Sequence, residues 1–139
     1  MILLLIDMQP EFYASLKILD FWTKNIKKFN HVVFLQTKSN LVNCGNVFSQ
    51  LINNTKSYKI ITKKSTDGSH KLVNIFKHKP IVHFGGVNSS KCVKTNIVNL
   101  INLLPNTQFV HVWNGTADAS SNYPNQIIQN FCQYHVNIV

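Results

Sequence analysis

The sequence contains no arginine and few acidic residues, so its positive charge comes from lysine alone. All 14 cationic residues are lysines, against 5 Asp and Glu, which gives a formal net charge of +9 over 139 residues. A basic surface can attract nucleic acid or a small anion. The lysines are scattered, however, and no helix-turn-helix, zinc-finger or aromatic RNA-binding pattern accompanies them. We therefore do not expect a nucleic-acid partner.

Cysteine is also scarce, and no long hydrophobic run is present. Cys44, Cys92 and Cys132 are odd in number and show no paired spacing, which argues against a disulfide scaffold and favours a reducing compartment. The apolar run of residues 1–6 ends at Asp7, too early to span a membrane or to form a signal-peptide core. These features predict a cytoplasmic protein without a membrane partner.

Short Val/Ile/Phe-rich runs alternate with segments of helical period, and no Pro/Gly/Ser-rich linker or repeat divides the chain. This pattern predicts one domain over residues 1–139 with a three-layer α/β/α, Rossmann-like fold and a mainly parallel sheet of five to six strands. Strands are predicted at 2–6, 31–36, 58–62, 80–84, 108–113 and 136–139. Helices are predicted at 13–29, 91–104 and 122–134.

Three chemically capable side chains follow predicted strands. Asp7 follows the first strand, Lys63 with its neighbour Lys64 the third, and Cys92 lies where the fourth strand leads into a helix. Ligands of such sheets bind outside the carboxyl ends of the strands, and a helix N-terminus favours a thiolate. Each residue alone also has a plain structural interpretation: Asp7 as a helix cap, Cys92 as a small buried apolar residue and either lysine as a solvated surface charge.

Taken together, the motifs resemble those of the isochorismatase-like hydrolases. Residues 4–12 (LLIDMQPEF) are similar to the family's opening Asp-Met-Gln segment, and residues 84–95 (FGGVNSSKCVKT) to its nucleophile segment. Residues 60–63 (IITK), followed by DGS at 67–69, resemble the strand that delivers the family's lysine. Residues 110–120 (VHVWNGTADAS) resemble its strand ending in Asp-Ala. The resemblance covers nearly the whole chain, although several connecting segments are shorter than usual.

The resemblance implies a catalytic set of Asp7, Lys63 and Cys92, with Lys64 left open as the alternative lysine. It implies that Cys92 attacks a carbonyl, Asp7 moves the thiol proton, and Lys63 stabilises the thiolate and orients Asp7. By the same resemblance the Val87–Asn88 peptide bond is cis. The backbone N–H groups of Asn88 and Cys92 then form an oxyanion hole.

The segment after the second strand reads Gln-Thr-Lys-Ser-Asn at 36–40, where nicotinamidase-type members carry an Asp-X-His metal motif. No pair of the six histidines has metal-ligand spacing either, and we assign no metal or other cofactor. Within the family that the sequence resembles, the isochorismate hydrolases that cleave a vinyl ether generally lack the nucleophilic cysteine. The presence of Cys92 therefore favours hydrolysis of an amide or ureido C–N bond in a small molecule. An isochorismate-type vinyl ether hydrolase and a catalytically silent binding protein are the alternatives on this fold.

Two aromatic residues near strand ends, Phe12 and Trp113, are candidates for substrate binding, although core packing explains such positions equally well. The short connections leave little chain for a lid, so we expect a homo-oligomer in which a neighbouring subunit covers the pocket. Phe21 and Trp22 could supply the apolar patch for association, or they could be core residues of the first helix.

Overall fold

The computed structural model describes residues 1–39 and 45–139. Cys44 and Asn40 lie outside the described residues. The strands are β1 (Ile2–Ile6), β2 (His31–Thr37), β3 (Tyr58–Lys63), β4 (Ile81–Gly86), β5 (Gln108–Thr116) and β6 (Tyr134–Val136). The α-helices are α1 (Leu16–Asn25), α2 (Ser49–Asn53), α3 (Val73–Phe76), α4 (Lys94–Leu103) and α5 (Pro124–Gln129).

The six strands form one sheet in the order β3-β2-β1-β4-β5-β6, and every neighbouring pair is parallel. Parallel strands need crossover connections, and helices supply them. With β1 near the middle, the carboxyl ends of β1, β2, β3 and β4 meet at one edge. The prediction of a three-layer α/β/α fold is confirmed.

The two faces of the sheet carry separate cores because successive side chains of a strand point to opposite faces. Leu3 and Leu5 of β1 pack in one core with Trp22 of α1. Leu4 and Ile6 pack in the other with Ile97 of α4. Each such fully buried side chain contributes about 1.5–3 kcal/mol relative to exposure, so β1 is anchored from both sides and fixes the position of whatever follows it.

Trp22 belongs to the core rather than to an exposed patch. Its side chain is fully buried, and its Nε1–H donates a 2.9 Å hydrogen bond to the carbonyl of Gly115 in β5. A Cβ on Gly115 would lie 2.2 Å from the indole, so a residue without a side chain is needed there. Of the two interpretations of the Phe21–Trp22 pair, the structure gives Trp22 the core role.

The helix boundaries differ from the predicted ones at three places. The segment predicted at 13–29 is an α-helix flanked by 3₁₀ turns at Tyr13–Ser15 and Ile26–Lys28. The one predicted at 91–104 starts as a π-helical turn, Ser89–Val93, before α4. The last helix is short because Pro124 opens it and pairing of Tyr134 with Val110 already belongs to β6. The sixth strand therefore precedes its predicted position at 136–139.

A buried histidine on β5 makes the fold sensitive to acid. His111 is fully buried, its Nε2 lies 2.8 Å from Thr116 Oγ1 and its Nδ1 lies 3.1 Å from Nδ1 of His135. Burial, with a smaller effect from the charge of His135, lowers the pKa of His111 to about 3. The unfolded chain takes up a proton near pH 6.5, whereas the folded chain does so only near pH 3, so stability falls as the pH drops through this window.

We predict that His111→Asn flattens the pH dependence of the unfolding free energy between pH 6.5 and 4. One such histidine contributes a slope of up to about 1.4 kcal/mol per pH unit. Urea denaturation at several pH values measures the slope. His78→Asn, at an exposed histidine, is the control and should retain the wild-type slope. An unchanged slope in His111→Asn would assign the acid sensitivity to another group, such as His83, whose pKa burial also lowers.

Candidate active site

Asp7 follows the carboxyl end of β1 and is held there by hydrogen bonds to the neighbouring strand β2. Its φ of 53° is in the left-handed region, which non-glycine residues adopt infrequently and which clusters at functional sites. Its N–H donates to the Leu35 carbonyl at 2.8 Å. Two residues later, the buried Gln9 side chain exchanges hydrogen bonds with both the N–H and the carbonyl of Thr37. The loop after β1 is thereby fastened to the end of β2.

Lys63, the last residue of β3, brings its ammonium to Asp7. The side chain is 1% exposed, and Nζ lies 3.2 Å from Asp7 Oδ2 and 3.5 Å from Cys92 Sγ. It also donates to Thr37 Oγ1 at 2.6 Å and to the Ser65 carbonyl at 3.1 Å. Lys64, its neighbour, is exposed. The geometry thus brings Lys63, rather than Lys64, to Asp7 and Cys92.

Cys92 lies on the π-helical turn that follows β4. Gly86, with φ of 115°, ends the strand, and a Cβ there would lie 2.1 Å from the Ile6 carbonyl oxygen, so only glycine allows β4 to approach β1 this closely. The Val87–Asn88 peptide is cis, which confirms that prediction. The Asn88 carbonyl accepts hydrogen bonds from the N–H groups of Lys91 and Val93, on either side of Cys92.

Lys63 and Cys92 line an open cleft of about 200 Å³, with Asp7 buried behind them, and Cys92 is only partly buried. The other lining residues are Phe12, Thr37, Ser39, Lys64, Ser65 and Thr66. Phe12, a candidate for substrate binding, is therefore at the cleft. A larger hollow of about 400 Å³ at the start of β5 lies apart from these residues and contains Cys132, whose thiol is spent on hydrogen bonds to two backbone carbonyls.

Trp113 does not reach the cleft. Its ring packs against His111 and His135, at centroid distances of 5.7 and 5.3 Å, on the β5–β6 side of the sheet. Strand alternation puts Trp113 and His111 on the same face, and pairing of β5 with β6 brings His135 beside them. Of the two interpretations of Trp113, its position here agrees with packing.

The electrostatics of Cys92 differ from the expected stabilised thiolate. Burial is the largest effect, and together with the charge of Asp7 and a hydrogen bond to it raises the pKa of the Cys92 thiol to about 12, although Lys63 opposes the shift. Burial and the Asp7 carboxylate thus outweigh the effect of Lys63 on the pKa of Cys92. A thiol of raised pKa that is hydrogen-bonded to Asp7 is suited to proton transfer from sulfur to carboxylate.

We predict that Asp7→Asn makes Cys92 more reactive toward iodoacetamide at pH 7, while the wild-type thiol reacts slowly. Removing the carboxylate charge removes a cause that raises the Cys92 pKa and leaves Lys63 to lower it, and each unit of pKa changes the thiolate fraction about tenfold. Peptide mass spectrometry of Cys92 against Cys132 measures the rates. Asp20→Asn, at an exposed carboxylate paired with Lys24, is the control. Slower alkylation in Asp7→Asn would contradict the assigned contact.

Asp118 fixes the turn that carries Cys92. The carboxylate is 1% exposed, and its Oδ2 accepts hydrogen bonds from Ser89 Oγ at 2.8 Å and from the Ser90 N–H at 2.6 Å. Its Oδ1 accepts from the N–H and Oγ of Ser120. Burial raises the pKa of Asp118, but the bonds from Ser120 and Ser90 outweigh it and hold that pKa well below its usual range. Asp118 therefore acts on Cys92 through the backbone of its turn.

We expect Asp118→Asn to lower kcat about 10- to 100-fold with little change in KM. The NH₂ group of asparagine cannot accept the hydrogen bonds that one carboxylate oxygen of Asp118 accepts, so the turn and the Cys92 thiol shift relative to the substrate. Steady-state kinetics with any turned-over substrate tests this. The same substitution at Asp20 should leave both constants unchanged. A rise in KM at constant kcat would instead assign Asp118 to substrate binding.

Two further residues, Thr37 and Asn96, help to position the site, although little in the sequence identifies them. Thr37 lies between Lys63 and Asp7, accepting from the ammonium and donating to Asp7 Oδ1 at 2.9 Å. Asn96, one helical turn after Cys92, is fully buried and bonds the Cys92 carbonyl, the Thr66 carbonyl and the Gly68 N–H. Its spacing of four residues from Cys92 is the one clue that could have identified it.

Within residues 1–39 and 45–139, no group of three or more His, Cys, Asp or Glu side chains is arranged to hold a metal ion. No helix of the described part is both long and apolar enough to cross a membrane.

No protein-family model and no curated protein matches the sequence. Solved structures do match in three dimensions. An isochorismatase-like hydrolase from Alkaliphilus metalliredigens aligns over 98% of this chain and 90% of its own, with a TM-score of 0.79 and 15% identity. A nicotinamidase from Staphylococcus aureus aligns over 99% and 98%, with a TM-score of 0.75 and 18% identity. N-carbamoylsarcosine amidase from Thermoplasma acidophilum aligns over 98% and 94%, with a TM-score of 0.78 and 14% identity.

Proposed function

The chain has the fold of the isochorismatase-like hydrolases, and on that premise we propose that it is a cysteine hydrolase that cleaves an amide or ureido C–N bond of a small molecule. The observation that carries the proposal is the position of the Lys63 ammonium, 3.2 Å from Asp7 and 3.5 Å from Cys92, in a cleft that Lys63 and Cys92 both line. A buried carboxylate, a buried ammonium and a partly exposed thiol in contact form the unit required for nucleophilic catalysis.

In the first half-reaction, the Cys92 sulfur attacks the carbonyl carbon while its proton passes to Asp7. The tetrahedral intermediate collapses with cleavage of the C–N bond, and the leaving nitrogen takes the proton from Asp7. The products of this half are ammonia or an amine and a thioester on Cys92. The raised pKa of Cys92 supports this order, because the thiol keeps its proton until the carbonyl is in place.

In the second half-reaction, a water molecule attacks the thioester carbon and gives a proton to Asp7. The C–S bond then breaks, the acid product leaves, and the Cys92 thiolate regains the proton from Asp7. The Lys63 ammonium offsets the negative charge that moves between Asp7 and sulfur. We assign the oxyanion hole to the backbone N–H groups of Asn88 and Cys92, where one donor contributes roughly 3 kcal/mol to transition-state stabilisation.

An amide or ureido substrate is supported by the nucleophile itself, because a thiol offers a covalent path for acyl transfer. The named activities of two structural neighbours, a nicotinamidase and N-carbamoylsarcosine amidase, are consistent with a C–N bond. The cleft of about 200 Å³ is below the ~300–1,000 Å³ of pockets for drug-sized ligands, which favours a small acyl group.

A panel of small amides and ureido compounds, assayed for release of ammonia, tests the proposal. Acid quenching during turnover and intact-mass analysis should reveal an acyl adduct that maps to Cys92. Turnover without an adduct and at full rate in Cys92→Ala would overturn the covalent mechanism. A folded protein that turns over no member and forms no adduct would favour a binding protein on this fold.

We further propose that the protein is cytoplasmic. We also propose that it works as a homo-oligomer, since the cleft is open while a thioester needs controlled access of water. Light scattering at micromolar concentration tests the second part. A mass near the 15.9 kDa of one chain, with specific activity independent of protein concentration, would overturn it.

A further inference from the structure

A second hollow of about 340 Å³ adjoins the cleft and is lined mainly by lysine. Lys38, Lys64 and Lys71 surround it, together with Ser39 and Thr62. Ser39 and Lys64 also line the cleft that contains Cys92. The two spaces therefore adjoin at these two residues, and the lysines lie beside the cleft that contains Cys92.

The sheet brings these lysines together. β2 and β3 are parallel neighbours in which Thr37 is in register with Lys63, and the Lys38 N–H continues the ladder by donating to the Lys63 carbonyl at 2.9 Å. Lys38 and Lys64, which follow those two residues, thus leave the same edge of the sheet side by side. Lys71 reaches this edge from the next loop, where its Nζ donates to the Thr62 carbonyl at 2.7 Å.

Among the described residues that line the hollow there is no carboxylate. The two ion pairs in the described residues are formed by Lys24 and Lys63. None of the three lysines of the hollow therefore forms an ion pair with a described carboxylate. The closest acidic residue in sequence, Asp67, is engaged by the Ser69 N–H and by Asn99. Like charges that line one hollow repel one another, and an anion placed among the lysines relieves that repulsion and receives charge-assisted hydrogen bonds.

We infer that the hollow is an anion subsite, and that the substrate is a small amide or ureido compound whose far end carries a carboxylate or a phosphate. The inference rests on the proposed function for the link to Cys92. The binding of an anion to the hollow does not require catalysis.

The direct test is binding of inorganic phosphate and of succinate to the Cys92→Ala protein, followed by amide ¹H–¹⁵N chemical shifts. We expect the largest shifts at residues 37–39, 62–65 and 71. The double variant Lys38→Gln/Lys71→Gln should weaken binding of the preferred anion at least tenfold. The matched control, Lys77→Gln/Lys79→Gln, removes the same charge from exposed lysines before β4 and should change binding less than twofold.

Equal weakening in both double variants, or shifts spread over the surface, would overturn the subsite. So would a short single-stranded oligonucleotide that binds more tightly than either small anion and loses affinity equally in both variants, since that is the behaviour of a diffuse basic surface. Comparison of phosphate with succinate identifies which oxyanion the hollow prefers.

Activity provides a second arm that separates this inference from the proposed function. A carboxylate-bearing amide should have a kcat/KM at least tenfold higher than its methyl ester, and Lys38→Gln/Lys71→Gln should remove that difference. Equal turnover of acid and ester, with no anion binding, overturns the subsite and leaves the hydrolase intact. Localised anion binding without turnover of any amide overturns the hydrolase and leaves the subsite.

Discussion

Cys92→Ala is expected to lower turnover by several orders of magnitude while the protein stays folded, and Asp7→Asn is expected to lower kcat by about 10²- to 10⁴-fold, the range for loss of a positioned acid–base group. The sulfur supplies the only covalent path in the proposed mechanism, and Asp7 is the carboxylate bonded to it. Members of a unit that act together are strongly non-additive. The double variant should therefore be no slower than Cys92→Ala alone.

Cys132→Ala is the matched control, because it removes the other described thiol from a core position away from the cleft. Its turnover per folded molecule should equal that of the wild type, and thermal unfolding and circular dichroism show whether each variant folds. Retention of most activity in Cys92→Ala would exclude the thioester. Additive losses in the double variant would show that Asp7 acts outside the same step.

The sequence contains enough information to predict the sheet and its reactive edge. The apolar runs before Asp7, Lys63 and Cys92 are strands of a parallel sheet, and parallel strands present their carboxyl ends together. The hydrophobic periodicity of these runs was therefore sufficient to predict the fold class that the structure confirms. The preference for Lys63 over Lys64 agrees with the observed geometry for a similar reason, since adjacent strand residues point to opposite faces.

Other parts of the site depend on contacts between residues far apart in sequence. Thr37 is an ordinary β-branched residue at a strand end until β3 places the Lys63 ammonium 2.6 Å from its hydroxyl. Asp118 is one residue of an Asp-Ala stretch until it accepts the N–H of Ser90. The raised pKa of Cys92 depends on burial and on direct contact with Asp7. Neither of these can be predicted from the local sequence pattern around Cys92.

The Lys63–Asp7 pair should also have a large effect on stability, which Lys63→Met isolates. Both side chains are 1% exposed, and methionine has a similar length without the charge. The substitution leaves a carboxylate buried with Thr37 but without its ammonium, and breaking a buried pair in this way costs about 3–5 kcal/mol. We expect that loss in the urea-derived unfolding free energy at pH 7, together with loss of turnover.

Lys64→Met provides the control one residue along the chain, because that side chain is exposed and exposed substitutions change stability by about 0.5 kcal/mol or less. The double variant Lys63→Met/Asp7→Asn should recover part of the stability lost in Lys63→Met, since it removes the unpaired charge, yet remain inactive. If Lys63→Met proved as stable as Lys64→Met and no recovery occurred in the double variant, the Asp7 carboxylate would not need Lys63 for its burial. The ion pair would then have no part in holding Asp7 at Cys92.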